Sequence, residues 1–180
     1  MTKPETHETI PARPEGGDVE TEAPPPPSGR ESQAFEEGDG LVTSHPLTIT
    51  RIGEGTYVAH TRSGAELRIA REEDPAGFTP GELLKLALAA CNAMSADARL
   101  VHALGADFPS QTTVETLKHE EEERYAQFRV TVVAPVQDLG EEEREKLEER
   151  AAAAVKKNCT VGRTLGAGAT YEFRLAGDGE

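Results

Sequence analysis

Cysteine is scarce in this chain, at two in 180 residues, and tryptophan is absent. Two cysteines are too few for a disulfide-stapled scaffold, so a cytosolic setting is the default expectation. No apolar run approaches the ~20 residues of a membrane span. The first residues, MTKPETHETIPARPEGG, contain no apolar stretch of the kind that marks a secretory signal. Basic residues are few as well. Nineteen Lys and Arg face 33 Asp and Glu, for a net charge of −14. That balance argues against a phosphate-binding surface and excludes a general nucleic-acid binder, which needs clustered cations. Metal-ligand spacing is also missing. The cysteines stand 68 positions apart with no C-x-x-C, and the histidines at 7, 45, 60, 102 and 119 form no pattern with them. There is no G-x-S-x-G elbow and no glycine-rich phosphate loop.

The charge is unevenly spread. Residues 1–40 hold three basic and ten acidic residues, seven of the twelve prolines, and only Ile10, Val19 and Phe35 as large apolar residues. Such a segment cannot bury enough area to offset chain entropy, so an acidic, proline-rich, disordered tail is predicted, with residues 24–27 as a short polyproline II spacer. A single domain is predicted over 41–180.

Within that domain, alternation predicts strands at 46–52, 56–61 and 65–71. Thr79, Pro80 and Glu82 form a capping box with proline at the first helical position. A helix is predicted from there to about Leu104, stopped by Gly105. Strands at 111–119 and 124–134 flank an acidic turn at 120–123. A second helix is predicted at 141–157, with Glu142 and Lys146 placed to pair at i,i+4. A short turn or helix follows Cys159, and a last strand is predicted at 169–175. The order β-β-β-α-β-β-α-β is an α+β class.

The first helix carries one charge, Lys85, between Leu83 and Ala96. Apolar on most sides, it is predicted to be buried nearly all round, against sheet or a second copy. Cys91 lies in its middle among Ala87, Ala89, Ala90 and Ala93. It reads either as a small buried hydrophobe or, with a cation nearby, as a reactive thiol. Cys159 follows Lys156 and Lys157 and precedes Arg163, so its surroundings are predicted to be polar and accessible. Helix-end carbonyls disfavour a thiolate there and the cations favour it.

The segment FTPGELLKLALAACNAM, followed by NCTVGRTL and a final strand, resembles the OsmC/Ohr family of osmotically inducible and organic hydroperoxide resistance proteins. The family pattern is a T/S-x-P-E-E/Q-L helix leading to A-A-C, and a later C-P-V-S-x-x-L element. The likeness spans about 46–175, and the tail has no counterpart. The resemblance implies an OsmC-like fold with a long buried central helix, in an intertwined homodimer with active sites at the subunit interface. It also implies a thiol peroxidase that reduces organic hydroperoxides, with Cys91 as the peroxidatic and Cys159 as the resolving residue. A dithiol such as dihydrolipoamide would be the reductant, with no metal or other cofactor. The apolar lining of Cys91 suits a fatty or aromatic hydroperoxide.

The chain departs from the family at the supporting residues. Where the peroxidase branches place a Glu ten residues before the cysteine, this chain has Gly81. Glu82, nine before, is rotated by about 180° from Cys91. Gly53 occupies the place of the family's Arg, with Arg51 two residues away. Arg68, Arg71, Arg99 and Arg163 are further candidates. Thr160 and Gly162 replace the proline and serine of the second motif. These departures keep open a non-enzymatic redox sensor or binder of a small apolar ligand, and a dimeric scaffold whose tail recruits partners.

Overall fold

The structure is a computed structural model of the chain. It describes residues 41, 42, 44–169 and 171. The tail predicted at 1–40 and nearly all of the strand predicted at 169–175 lie outside them.

Three short strands, β1 (Ile49–Gly53), β2 (Thr56–His60) and β3 (Glu66–Ile69), form an antiparallel sheet in the order β1-β2-β3. The register pairs Arg51 with Tyr57 and shifts between Arg51 and Gly53, a bulge that closes the tight β1–β2 turn. The acidic loop after β3 is ordered. Phe78 pairs back against Ile69 as an isolated parallel bridge. Asp74 accepts from Arg68 at 2.8 Å and from the Ala76 amide at 3.0 Å. The Arg68 guanidinium and then the Ala76 amide hold the Asp74 carboxyl below the usual carboxylate range.

Helix α1 (Pro80–Leu104) starts as the sequence dictates. Thr79 Oγ1 accepts from the Glu82 amide at 3.2 Å, and Glu82 Oε2 accepts from the Thr79 amide at 2.7 Å. Pro80 has no N–H, so two of the three amides left without helical partners are thereby satisfied. Thr79→Ala is expected to cost about 1 kcal/mol, visible as a lower melting temperature at unchanged cooperativity. Gly105 ends the helix with φ 89°, a conformation open to glycine and strained for other residues.

β4 (Gln111–His119) and β5 (Arg124–Val133) form a second antiparallel sheet around the acidic turn. Phe128, Val130 and Val132 alternate inward against exposed Arg129 and Thr131, as predicted. After a 3-10 turn at Val136–Asp138 come α2 (Glu141–Asn158) and α3 (Thr160–Ala167). The core forms where α1 meets α2 and β5. Ala96, Leu100 and Leu147 are buried, flanked by Phe108, Val132, Val136 and Val155. The pair Glu142–Lys146 is not among the ion pairs of the described residues.

α1 is not buried all round within one chain. Leu88, Ala89, Ala96 and Leu100 are buried. The opposite face leaves Leu86 47% and Met94 77% exposed. α1 packs on α2, α3 and the β4–β5 sheet, whereas the three-stranded sheet packs mainly within itself. Its outward Ile49 and Ile52 are 52% and 53% exposed.

Candidate functional site: a paired thiol at a helix junction

Helices α2 and α3 meet at one residue. Cys159 is the C-cap of α2 and the N-cap of α3. Its backbone N–H closes the last turn of α2 on Val155 O at 2.9 Å, and its sulfur accepts from the Gly162 amide at 3.3 Å. α3 packs on α1, which brings Cys159 to Cys91. Both thiols are free.

The burial of the pair reverses the expectation. Cys159, predicted to be polar and accessible, is 2% exposed and is the most completely buried side chain among the described residues. Cys91 is half-buried. Lys156, Lys157 and Arg163 flank Cys159 in sequence yet point outward, because the chain turns sharply from α2 into α3. A β-carbon at Gly162 would meet the Cys159 sulfur at 3.2 Å and Leu88 Cδ1 at 3.7 Å. The absence of a side chain there lets α3 close over the sulfur.

The two thiols titrate in opposite directions. The Cys159 thiol, then the Val161 and Thr160 amides and the Ser95 hydroxyl, hold Cys91 below the usual cysteine range, against the opposing effect of burial. Burial, and then the hydrogen bond to Cys91, push the Cys159 thiol up. The two thiols thus lie beside each other at the N-terminal end of α3, where amides without helical partners carry partial positive charge.

The Cys159 thiol first, and then those amides, stand where an arginine is expected. Among the described residues no cation hydrogen-bonds or ion-pairs with either sulfur. Arg51 is exposed on β1. Arg163 donates to Lys157 O at 3.4 Å. Arg68 pairs with Asp74 and Arg71 with Glu54. Glu82 is engaged in the α1 capping box and is not brought to Cys91. The space a side chain at Gly81 would need is taken by the Tyr125 hydroxyl, 2.5 Å from an ideal β-carbon.

Asn92 is a site residue that sequence reasoning missed. Its Nδ2 donates to Leu88 O at 2.9 Å and to Cys159 Sγ at 3.4 Å, using both amide hydrogens. A hydrogen bond between residues 67 positions apart leaves no local signature. Asn92 also lines a cavity of about 540 Å³ between α1, α2 and β5, whose walls include Leu100, Val130, Val132, Leu147 and Val155.

A family model for OsmC-like proteins matches residues 72–174. The chain belongs to the OsmC-like family. An uncharacterized protein of Mycobacterium tuberculosis strain H37Rv is 36% identical to this OsmC-like chain over 129 residues, which is 72% of this chain and 94% of that protein. A Mycobacterium bovis protein, also uncharacterized, matches with the same figures. Among solved structures, a hypothetical protein from Aquifex aeolicus VF5 superposes with TM-score 0.56 at 16% identity, covering 71% of this chain and 90% of that one. An OsmC-like protein from Mycoplasma pneumoniae superposes with TM-score 0.53 at 14% identity, covering 71% and 91%. These two share the fold of this OsmC-like protein. Among the described residues, no cluster of His, Cys, Asp or Glu has metal-binding geometry, and no helix is long and apolar enough to cross a membrane.

The asymmetry of the pair has a direct readout. A lowered thiol pKa means that thiolate persists to lower pH. Cys91 is therefore expected to be alkylated by iodoacetamide with a midpoint below ~8.5. Cys159, assayed in Cys91→Ser, is expected to react slowly and at higher pH. Mass spectrometry of the alkylated peptides across pH 5–10 distinguishes them, and coincident profiles would remove the asymmetry.

Proposed function

We propose that this OsmC-like protein is a cysteine-based peroxidase for organic hydroperoxides. One observation carries the reading: a half-buried thiol, Cys91, lies beside a buried one, Cys159, and the first is held below the usual cysteine range while the second is pushed up. An attacking and a resolving cysteine require that division of labour.

In the proposed cycle the Cys91 thiolate attacks the outer oxygen of ROOH. The O–O bond breaks, the alkoxide takes a proton and leaves as ROH, and Cys91 becomes a sulfenic acid. The Cys159 sulfur, losing its proton, attacks the Cys91 sulfur and expels water, which forms the disulfide. A dithiol reductant such as dihydrolipoamide then restores both thiols by exchange and is itself oxidised to a disulfide. Ala87, Ala90 and Met94, exposed on α1 around Cys91, support an organic hydroperoxide with a hydrocarbon tail over hydrogen peroxide.

We further propose that the working unit is a homodimer. Cys91 lies on α1 between buried Leu88 and exposed Met94. A second copy seated on the exposed face would complete the wall of the site.

Stoichiometric titration of the reduced protein with cumene hydroperoxide tests the chemistry. One Cys91–Cys159 disulfide per chain is expected by mass spectrometry of non-reduced peptides. Persistent free thiols after excess hydroperoxide would overturn the reading. The lack of a cation beside Cys91 favours a second reading, a redox sensor that oxidises once and slowly. That reading predicts the same disulfide without turnover when dihydrolipoamide is supplied.

A further inference from the structure

We propose that the groove between α1 and α2 centred on Arg99 and Arg150 is a binding site for a compact, phosphate-bearing anion, separate from the thiol pair. Two adjoining cavities share these two arginines. One, of about 540 Å³, is lined by Arg99, Arg150, Lys157 and Asn158 together with two alanines, and by no carboxylate. The other, of about 450 Å³, adds Lys146 and His102 and contains a single carboxylate, Glu143. Cys91 and Cys159 line neither cavity.

The charge of the groove runs against that of the molecule. The chain carries −14, and α2 alone has glutamates at 141, 142, 143, 145, 148 and 149. Carboxylates are therefore abundant nearby. Yet among the described residues none of Arg99, Lys146, Arg150 and Lys157 is in an ion pair. Like charges gathered from facing helices without ion-pair partners repel one another, and a bound anion relieves that repulsion. Two guanidiniums with a lysine match the oxygens of a phosphate group, to which arginine binds in a fork geometry. The patch is one short groove in an acidic protein, too small to track a nucleic-acid backbone. The net charge thus excludes nucleic acid and leaves room for a local phosphate site that it appeared to exclude. The groove is also clear of the exposed α1 face, because Arg99 lies about 140° around the helix from Met94.

The test is isothermal titration of the full-length protein with inorganic pyrophosphate at low ionic strength. Saturable binding is expected, weakened about tenfold or more in Arg99→Ala and in Arg150→Ala, the loss of one charge-assisted contact each. Lys157→Gln, at the exposed last turn of α2, is expected to weaken it in the same direction and keeps the test open if an arginine variant fails to fold by circular dichroism. Arg124→Ala, in the β4–β5 turn, is expected to leave binding unchanged. No binding by wild type overturns the proposal. So does equal binding by folded groove variants, or equal weakening in Arg124→Ala.

Discussion

Cys91→Ser is expected to lower hydroperoxide turnover with dihydrolipoamide to the uncatalysed background, a loss of at least about 10³-fold, the scale on which removal of a nucleophile is read. The loss follows from the chemistry of the site. Only a thiolate attacks the peroxide oxygen, and a serine hydroxyl at this position stays protonated at any pH the fold tolerates. The α3 amides that lower the Cys91 pKa cannot ionise an alcohol. The substitution is nearly isosteric on a half-buried helix face, so circular dichroism should match wild type and separate lost chemistry from lost folding. Cys159→Ser is expected to behave differently. Cys91 should still be oxidised once, leaving a sulfenic acid that dimedone traps, while turnover through an internal disulfide stops. Full activity in Cys91→Ser would refute the peroxidase reading. A disulfide-forming wild type that never turns over would instead favour the sensor.

Much of this fold is legible in local pattern. The α1 capping box, the β4–β5 hairpin about residues 120–123 and the glycine stop at 105 each rest on residues within a few positions of one another, and each appears where predicted. The chemistry of Cys159 is not legible in that way. From sequence it stands at the end of a basic helix terminus, which reads as polar and exposed, with the helix-end carbonyls disfavouring a thiolate and the cations favouring it. In space it is also the N-cap of α3, and its sulfur accepts from the Gly162 amide. The meeting of two opposite helix ends at one residue sets an amide against a sulfur that the sequence places beside carbonyls, and burial, which local sequence does not show, still pushes that thiol up. No arginine marks the site in sequence for the same reason, since the groups that lower the Cys91 pKa are the Cys159 thiol and then the backbone of a helix only eight residues long. The all-round apolar composition of α1 is only partly matched by burial within one chain, which leaves Leu86 and Met94 exposed.

That last discrepancy sets the second large expectation. Met94→Glu is expected to convert a dimer into monomers at micromolar concentration. Met94 is 77% exposed in the chain, and Leu86, Ala87 and Ala90 lie exposed on the same side of α1. An exposed apolar strip along a long helix such as α1 marks an interaction surface. A two-fold dimer uses one patch twice, so a single substitution places two carboxylates in the interface. Each buried, unpaired carboxylate costs several kcal/mol, and every 1.4 kcal/mol is tenfold in affinity, so Kd should rise by about 10³-fold or more. Sedimentation equilibrium of wild type and variant measures the change. Glu121→Lys, in the solvated β4–β5 turn, changes charge without touching the face and should remain dimeric. A wild-type chain that sediments as a monomer, or a Met94→Glu dimer as tight as wild type, would remove the second copy from the site. Because Cys91 borders this face, the monomeric variant is also expected to lose hydroperoxide turnover while retaining its thiols. That loss distinguishes a partner that completes the site from one that merely sits beside it.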